Sequence, residues 1–248
     1  MRVPYRTVPL DTSEMPPGIG NIVVNEAAER FSYYGMRAIL VAFMMRHMRT
    51  AAGAPDGMAE AEARQWYHIF AFAVYFFPLL GASIADALLG KFFTIIAFSL
   101  VYCGGHLALA LNETRSGLLT GLVLIAVGSG GIKPCVSANV GDQFGHRNQA
   151  QLPRAFSYFY FAINTGAFAS SLVTPALLAC CGPHPAFGVP GILMALATLA
   201  FWCGRAKYTH VPPDRNRWLA QSCSAEGWRT IARLLVVRPL CPRSLPGG

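Results

Sequence analysis

Apolar residues in this chain fall into six blocks, at roughly 20–45, 66–88, 93–111, 117–139, 155–179 and 186–204. Each is close to the ~20 residues that a helix needs to cross a hydrocarbon core ~30 Å thick. The breaks between them hold turn formers or charges: AAGAPDG around Pro55, LLGK at Lys91, LNETRSG at Asn112, GDQFGHRNQAQLP before Arg154, and CCGPHP at Gly182. The pattern predicts an all-α membrane protein with six transmembrane helices. A bundle over 20–204 is flanked by a cytoplasmic N-terminal segment, 1–19, and by a cytoplasmic linker and aberrant or truncated tail, 205–248. Gly128, Gly130, Gly131, Pro134 and Pro78 lie inside the blocks, where small residues let backbones approach and neighbours satisfy a carbonyl freed by proline. Such helices pack against one another, and six of them suit one half of a two-half transporter fold.

Composition agrees: 54% of residues are hydrophobic and only 13% charged, against about 25% charged in soluble domains. The formal net charge of +8 does not point to nucleic acid, because basic residues scatter through the breaks and form no stripe interleaved with aromatics. The seven cysteines, Cys103, Cys135, Cys180, Cys181, Cys203, Cys223 and Cys241, show no metal spacing and read as small buried residues. Arg2 and Arg6 are followed by no apolar run before Gly18, so no cleavable signal peptide is expected. Lysine and arginine set the orientation. Arg2, Arg6, Lys91, Arg147, Arg154, Arg205, Lys207, Arg215 and Arg217 fall on one side, against Arg46, Arg49, Arg64 and Arg115 on the other, which puts both ends in the cytoplasm.

Charges sit where they are expensive. The stretch NEAAERFSYYGMRAIL inside the first block carries Glu26, Glu29, Arg30 and Arg37, and one charge at a helix centre costs roughly 2.5–3.5 kcal/mol in the membrane. On a helix Glu26, Arg30, Tyr33 and Arg37 lie within about 40–60° of each other, flanked by Glu29 and Tyr34. One reading is a self-neutralising ladder from Glu26 to Arg30. The other starts from Arg37, which has no carboxylate three or four residues away and is left for an anionic ligand group.

Lys133, in SGGIKPCV of the fourth block, adds a second cation. A buried lysine beside a carboxylate can exchange a salt bridge for a protonated acid and a free amine; a lysine near a helix end can instead reach back to the interface. The fifth block places Tyr160, Asn164, Ser171 and Thr174 on one face, and the second places His68 and Tyr75 seven residues apart on another. Such groups bind ligand or hold helices together.

Taken together, GNIVVNEAAERFSYYGMRAIL with its ExxER motif, YHIFAFAVYFFPLLGASIADALLGKFFTI, GLVLIAVGSGGIKPCVSANVGDQF and FSYFYFAINTGAF resemble the proton-dependent oligopeptide transporters, a branch of the major facilitator superfamily. The resemblance runs from about Asn21 to Pro213 and implies the N-terminal half of that fold. It departs at Ser83, where a larger apolar residue is usual, and at Thr165, where a small or aliphatic one is. By resemblance, Glu26, Glu29, Arg30 and Lys133 take part in proton coupling, and His68 matches a histidine used mainly in animal-type members. Arg37, Tyr33, Tyr75, Lys133 and Asn164 would hold the peptide, while Asp86, Gly90 and Lys91 match the motif that controls rocking of the halves. The resemblance implies protons as coupling ion, no cofactor, and small peptides as partners in a cell membrane, plasma or inner. A zwitterion of variable side chains needs cations for its carboxylate and amides for its backbone, which Arg37, Lys133 and Asn164 supply. The carboxylate for its amine sits on the family's seventh helix.

After Pro213 the pattern changes. EGWRTIARLLVV reads as an amphipathic approach to a seventh helix, and then Arg238, Pro239, Pro242, Arg243 and Pro246 cannot continue a span. A frameshift, premature stop or gene-model error near Val237, or a deliberate short form, accounts for it. The expectation is a proton-coupled di- or tripeptide carrier that is inactive without a second six-helix half or a second copy. The alternatives are a stand-alone membrane binding or regulatory protein, or a carrier of nitrate or another anion. No catalytic triad, metal spacing or phosphate loop argues for an enzyme.

Overall fold

The computed structural model describes residues 5–222 and residue 224. Six long helices dominate: α1 Ile19–Arg46, α2 Glu60–Ile84, α3 Lys91–Leu111, α4 Arg115–Asp142, α5 Leu152–Cys181 and α6 Pro183–Cys203, followed by a short α7, Arg215–Ser222. Among the described residues there are isolated bridges but no strands. Most helices run a few residues past the apolar blocks, because backbone hydrogen bonding continues through polar ends that the bilayer core does not require. Two of the predicted breaks shrink to a single glycine, Gly90 (φ 76°) and Gly182 (φ 84°), in a left-handed conformation that other residues rarely adopt. A π-helical turn, Ala85–Leu89, links α2 to Gly90.

Helices α2 to α6 are each long and apolar enough to cross a membrane. Helix α1 is as long as α4, at 28 residues. Every membrane-length stretch of it, however, carries Glu29 and Arg30 together with Glu26 or Arg37. Its place in the bundle rests on burying those charges.

In the bundle α1 packs on α5 and α6, α3 on α4 and α6, and α2 on α4. The α2–α4 crossing is close because no side chains intervene. A Cβ on Gly81 would stand 2.6 Å from both the Gly130 carbonyl oxygen and the Gly131 Cα. Gly166 likewise lets α5 approach the α1 backbone at Ala27.

The connections gather at two ends. At one, His210 N donates to Arg6 O (2.7 Å), Asp214 N to Asp86 O (3.0 Å) and Thr209 N to Gln143 Oε1 (2.8 Å). The N-terminal segment, the α2–α3 turn, the end of α4 and the stretch after α6 are thus joined. At the other end Arg49 pairs with Glu113 (3.1 Å) and Arg115 with Asp56 (2.9 Å) and Glu62 (2.5 Å), joining the α1–α2 loop and the start of α2 to the α3–α4 turn and α4. This alternation is what six successive crossings require.

Two expectations need correction. Cys135 is buried and Cys103 half-buried, but Cys180, Cys181 and Cys203 are exposed, because they fall at helix ends rather than in the packed interior. The stretch Tyr208–Asp214 is not a free linker. Tyr208 is 1% exposed, stacks on Phe201 and donates to its carbonyl, and His210 lies against Phe92 and Tyr5. The expected approach to a seventh helix and the breaks after Val237 lie outside the described residues.

Candidate functional site

The charged stripe of α1 turns inward. Arg30 Nε lies 2.7 Å from Glu26 Oε1 and 3.2 Å from Glu29 Oε2, and both carboxylates are buried, at 1% and 0% exposure. From α4, Ser129 donates its hydroxyl to Glu29 Oε1 at 3.1 Å. One guanidinium therefore serves two carboxylates, leaving the cluster one negative charge in excess when both acids are ionised. Glu26 Oε2 has no hydrogen-bond partner among the described residues. Burial of charge at this density is tolerable only when the groups neutralise one another, so a second cation or a proton completes the balance.

Lys133 stands beside this cluster. Its Nζ lies 4.1 Å from the centre of the Tyr33 ring, within electrostatic reach of Glu29, Glu26, Arg30 and Arg37. It points into the bundle rather than to the interface, over the Tyr33 ring of α1, while the glycines preceding it in α4 pack against α2 and α3. One turn further along α1, Arg37 Nε donates to the Tyr67 hydroxyl of α2 at 3.0 Å, and Nη2 donates to the same oxygen. Its Cζ lies 5.5 Å from the Tyr33 ring centre and 5.3 Å from that of Tyr67. Two cations thus share the Tyr33 ring, separated by an aromatic face that attracts both.

The structure brings together Glu26, Glu29, Arg30, Tyr33, Arg37 and Lys133. Tyr75 is 76% exposed yet within electrostatic reach of Tyr33. His68 is exposed, its ring edge-on to Tyr67 at 5.7 Å. Asn164 stands apart on the open face of α5, donating to the Tyr160 carbonyl of its own helix (2.8 Å). Tyr160 and Ser171 share that exposure, but Thr174 does not: it is buried against Gly35 of α1. The α5 row expected on one face is therefore split, since Thr174, at its edge, falls in the buried stripe of α5 with Phe159, Gly166 and Ser170.

Asp86, Gly90 and Lys91 lie at the far end of the bundle, away from the cluster. Lys91 pairs with Asp142 of α4 at 2.6 Å. Gly90 sits under the Val211 carbonyl, and Asp86, exposed, accepts the Asp214 amide through its backbone. Sequence reasoning missed Tyr67 and Ser129. Tyr67 adjoins His68 in the motif, and Ser129 lies among the glycines of SGGIK. Both are neutral hydroxyls that only the neighbouring helix turns into partners of a charge.

Comparison with known proteins places this arrangement. Residues 92–230 match the family model PTR2, described as the POT family. "Peptide transporter family 1" of Drosophila melanogaster is 42% identical over 86% of this chain and 30% of its own length. Human "Solute carrier family 15 member 2" is 43% identical over 82% of this chain and 29% of its own length. Among solved structures, the POT family transporter PepTSo superposes with a TM-score of 0.75 at 48% identity, covering 81% of this chain and 40% of that one. A peptide transporter solved with alafosfalin gives 0.74 at 30% identity over 94% and 47%. The chain spans about 30% of the length of these curated relatives and somewhat under half of these solved structures. With more than half of its 248 residues inside the family model, the chain belongs to the POT family.

Proposed function

We propose that this six-helix unit is the proton-binding and carboxylate-binding half of a carrier that couples proton entry to uptake of di- and tripeptides across a cell membrane. The observation that carries the reading is the adjacency of a buried set and a half-buried one. Glu26, Glu29 and Arg30 can take up or release a proton, and Lys133 and Arg37 can hold a peptide carboxylate, with the Tyr33 ring shared between the two cations. A peptide carboxylate drawing on Lys133 weakens its hold on the glutamates, and a proton arriving there compensates. Relatives named as peptide transporters, and one solved with alafosfalin, support that substrate class. Tyr75, His68 and Asn164 would line the open face toward a partner bundle, and the Asp86–Lys91 turn would meet that bundle at the inner end. Alternating access takes two halves, so this unit is inactive by itself.

A second reading, transport of a simple anion, is favoured by two cations on one aromatic ring while both nearby carboxylates are engaged by Arg30. The test is uptake of labelled dipeptide into proteoliposomes under an inward proton gradient. One sample holds the chain alone, another the same helices joined to the remaining helices of the human relative. Saturable, gradient-driven uptake by the joined form only is expected, and Glu26→Gln should abolish accumulation while leaving dipeptide exchange. Accumulation unaffected by Glu26→Gln refutes the proton role; uptake of nitrate but not dipeptide decides for the second reading.

A further inference from the structure

Near the cluster, toward α3 and α6, lies a second group of buried polar side chains with unpartnered atoms. Asn25 of α1 and Ser99, Tyr102 and His106 of α3 are all 0% exposed. Neither polar atom of Asn25, nor the hydroxyls of Ser99 and Tyr102, nor His106 Nε2 has a hydrogen-bond partner among the described residues. Buried polar atoms are rarely left so, and several within one region mark a place that holds water.

Their placement follows from contacts on either side. Along the α3–α6 seam Phe92 stacks on Phe201 (5.4 Å) and His106 Nδ1 meets the Phe187 carbonyl (3.3 Å). Ser99 lies seven residues from each of its companions on α3, and Met194 seven from each on α6, so Ser99 faces Met194. Along the α1–α6 seam Asn21 Nδ2 donates to Ala200 O (3.0 Å) and Ser32 Oγ to Pro190 O (2.7 Å). Asn25 lies between those two and approaches the same stretch of α6. Tyr102, one turn from Ser99, has its ring 5.0 Å from that of His106 and lies within electrostatic reach of Glu29. Because a carbonyl only accepts, His106 Nδ1 carries its proton toward Phe187, and Nε2 is a bare acceptor.

We infer that the junction of α1, α3 and α6 around Asn25, Ser99, Tyr102 and His106 is a built site for ordered water that solvates Glu29 from the side of α3 and α6. The donors and acceptors match that occupant. Water donates to His106 Nε2 and the Asn25 carbonyl oxygen, and accepts from the Tyr102 and Ser99 hydroxyls and the Asn25 amide. Met194, Ile95 and Ile22 are each 0% exposed, and of the four polar residues only His106 lines the open groove between α3 and α6. Water there lets Glu29 change its protonation without opening the cluster toward the substrate side. That use rests on the function proposed above; the hydration itself does not.

The test reads hydration alone. The full 248-residue chain, purified into lipid nanodiscs, is exposed to a synchrotron pulse, and hydroxyl labelling by bound water is mapped by mass spectrometry. Tyr102 and Met194 should label several-fold faster than Met36 and Phe43, which are equally buried within the apolar core. Labelling of Tyr102 and Met194 at the rate of those controls overturns the proposal. Tyr102→Phe supplies the second arm. In a hydrated site it lowers labelling at Met194 and does not raise the melting temperature; in a dry one it removes an orphaned hydroxyl and raises it, which equally overturns the proposal. The labelling of the unsubstituted chain decides by itself if that variant does not fold, and a carrier that fails the uptake test leaves this result standing.

Discussion

Arg37 of α1 and Tyr67 of α2 are joined by a hydrogen bond of 3.0 Å from the guanidinium Nε to the phenol oxygen, with the Arg37 carbon 5.3 Å from the Tyr67 ring centre. The cation that has no carboxylate three or four residues away on its own helix is thus held by a neutral hydroxyl and two rings. That arrangement fixes its position without cancelling its charge. An ion pair would have satisfied Arg37 and left little for a ligand; a phenol leaves the positive charge available to an incoming carboxylate.

Two substitutions separate positioning from charge. Arg37→Ala removes the charge and should abolish measurable dipeptide binding in the two-half carrier. Tyr67→Phe removes one hydrogen bond to a charged group, worth roughly 1.5–3 kcal/mol, and should weaken binding by about tenfold or more while leaving the pH dependence of uptake in place. Equilibrium binding of a labelled dipeptide checks both. Unchanged affinity in Arg37→Ala would return the stripe to a purely structural ladder.

The spans and the charged stripe were legible because each depends on a property of one helix. Apolar length marks a crossing, and Glu26, Arg30 and Arg37 share a face whatever surrounds them. What could not be read belongs to pairs of helices. Tyr67 rather than its neighbour His68 meets Arg37, and this follows from how α2 is rotated on α4 through Gly81, which no spacing within WYHIF encodes. Ser129 becomes a partner of Glu29 only because α4 can approach α1. Asn164 shows the converse: a face that looked uniform is divided, because Thr174 at its edge falls in the buried stripe of α5 while Tyr160, Asn164 and Ser171 stay exposed.

The α2–α4 crossing makes a prediction about stability. At Gly81 an added methyl would meet backbone at 2.6 Å, which no rotamer change relieves. Gly81→Ala should therefore destabilise the bundle by about 1–3 kcal/mol, the usual penalty of overpacking. Gly104→Ala, whose new methyl would lie 4.0 Å from Leu124, should be neutral or slightly stabilising because alanine favours helix. Thermal melts in detergent compare the two, and equal melting temperatures would contradict so close a crossing.

The two joined ends make a prediction about sidedness. Pro55 and Gln149 are both exposed, on opposite ends of the bundle. With all seven native cysteines replaced by alanine, single cysteines at these positions should react with a membrane-impermeant maleimide from opposite sides. The excess of Lys and Arg predicts Gln149 on the cytoplasmic side. Labelling from one side at both positions would rule out six crossings.

The outer-end network should respond to acid in a defined direction. The Arg115 guanidinium, bonded to Asp56 at 2.9 Å, holds that carboxyl below its ordinary value of 3.8. A depressed folded value means that the contribution is present at and above the ordinary carboxylate range and is lost as pH falls through the lower, folded value. Asp56 also anchors the loop through its amide, which donates to Met48 O at 2.9 Å, while Met58 N donates to Met44 O at the same distance. Hydrogen exchange at the amides of Asp56 and Met58, corrected for intrinsic rates, should show protection that holds down to the carboxylate range and falls below it. Asp56→Asn should show weaker protection at neutral pH and a flatter profile, with Glu62 still on Arg115 at 2.5 Å. Because solvent reaches both partners, Arg115 at 46% and Asp56 at 30% side-chain exposure, the difference should shrink in high salt as the charges are screened. Superimposable profiles for parent and variant would mean that the backbone bonds alone hold this loop.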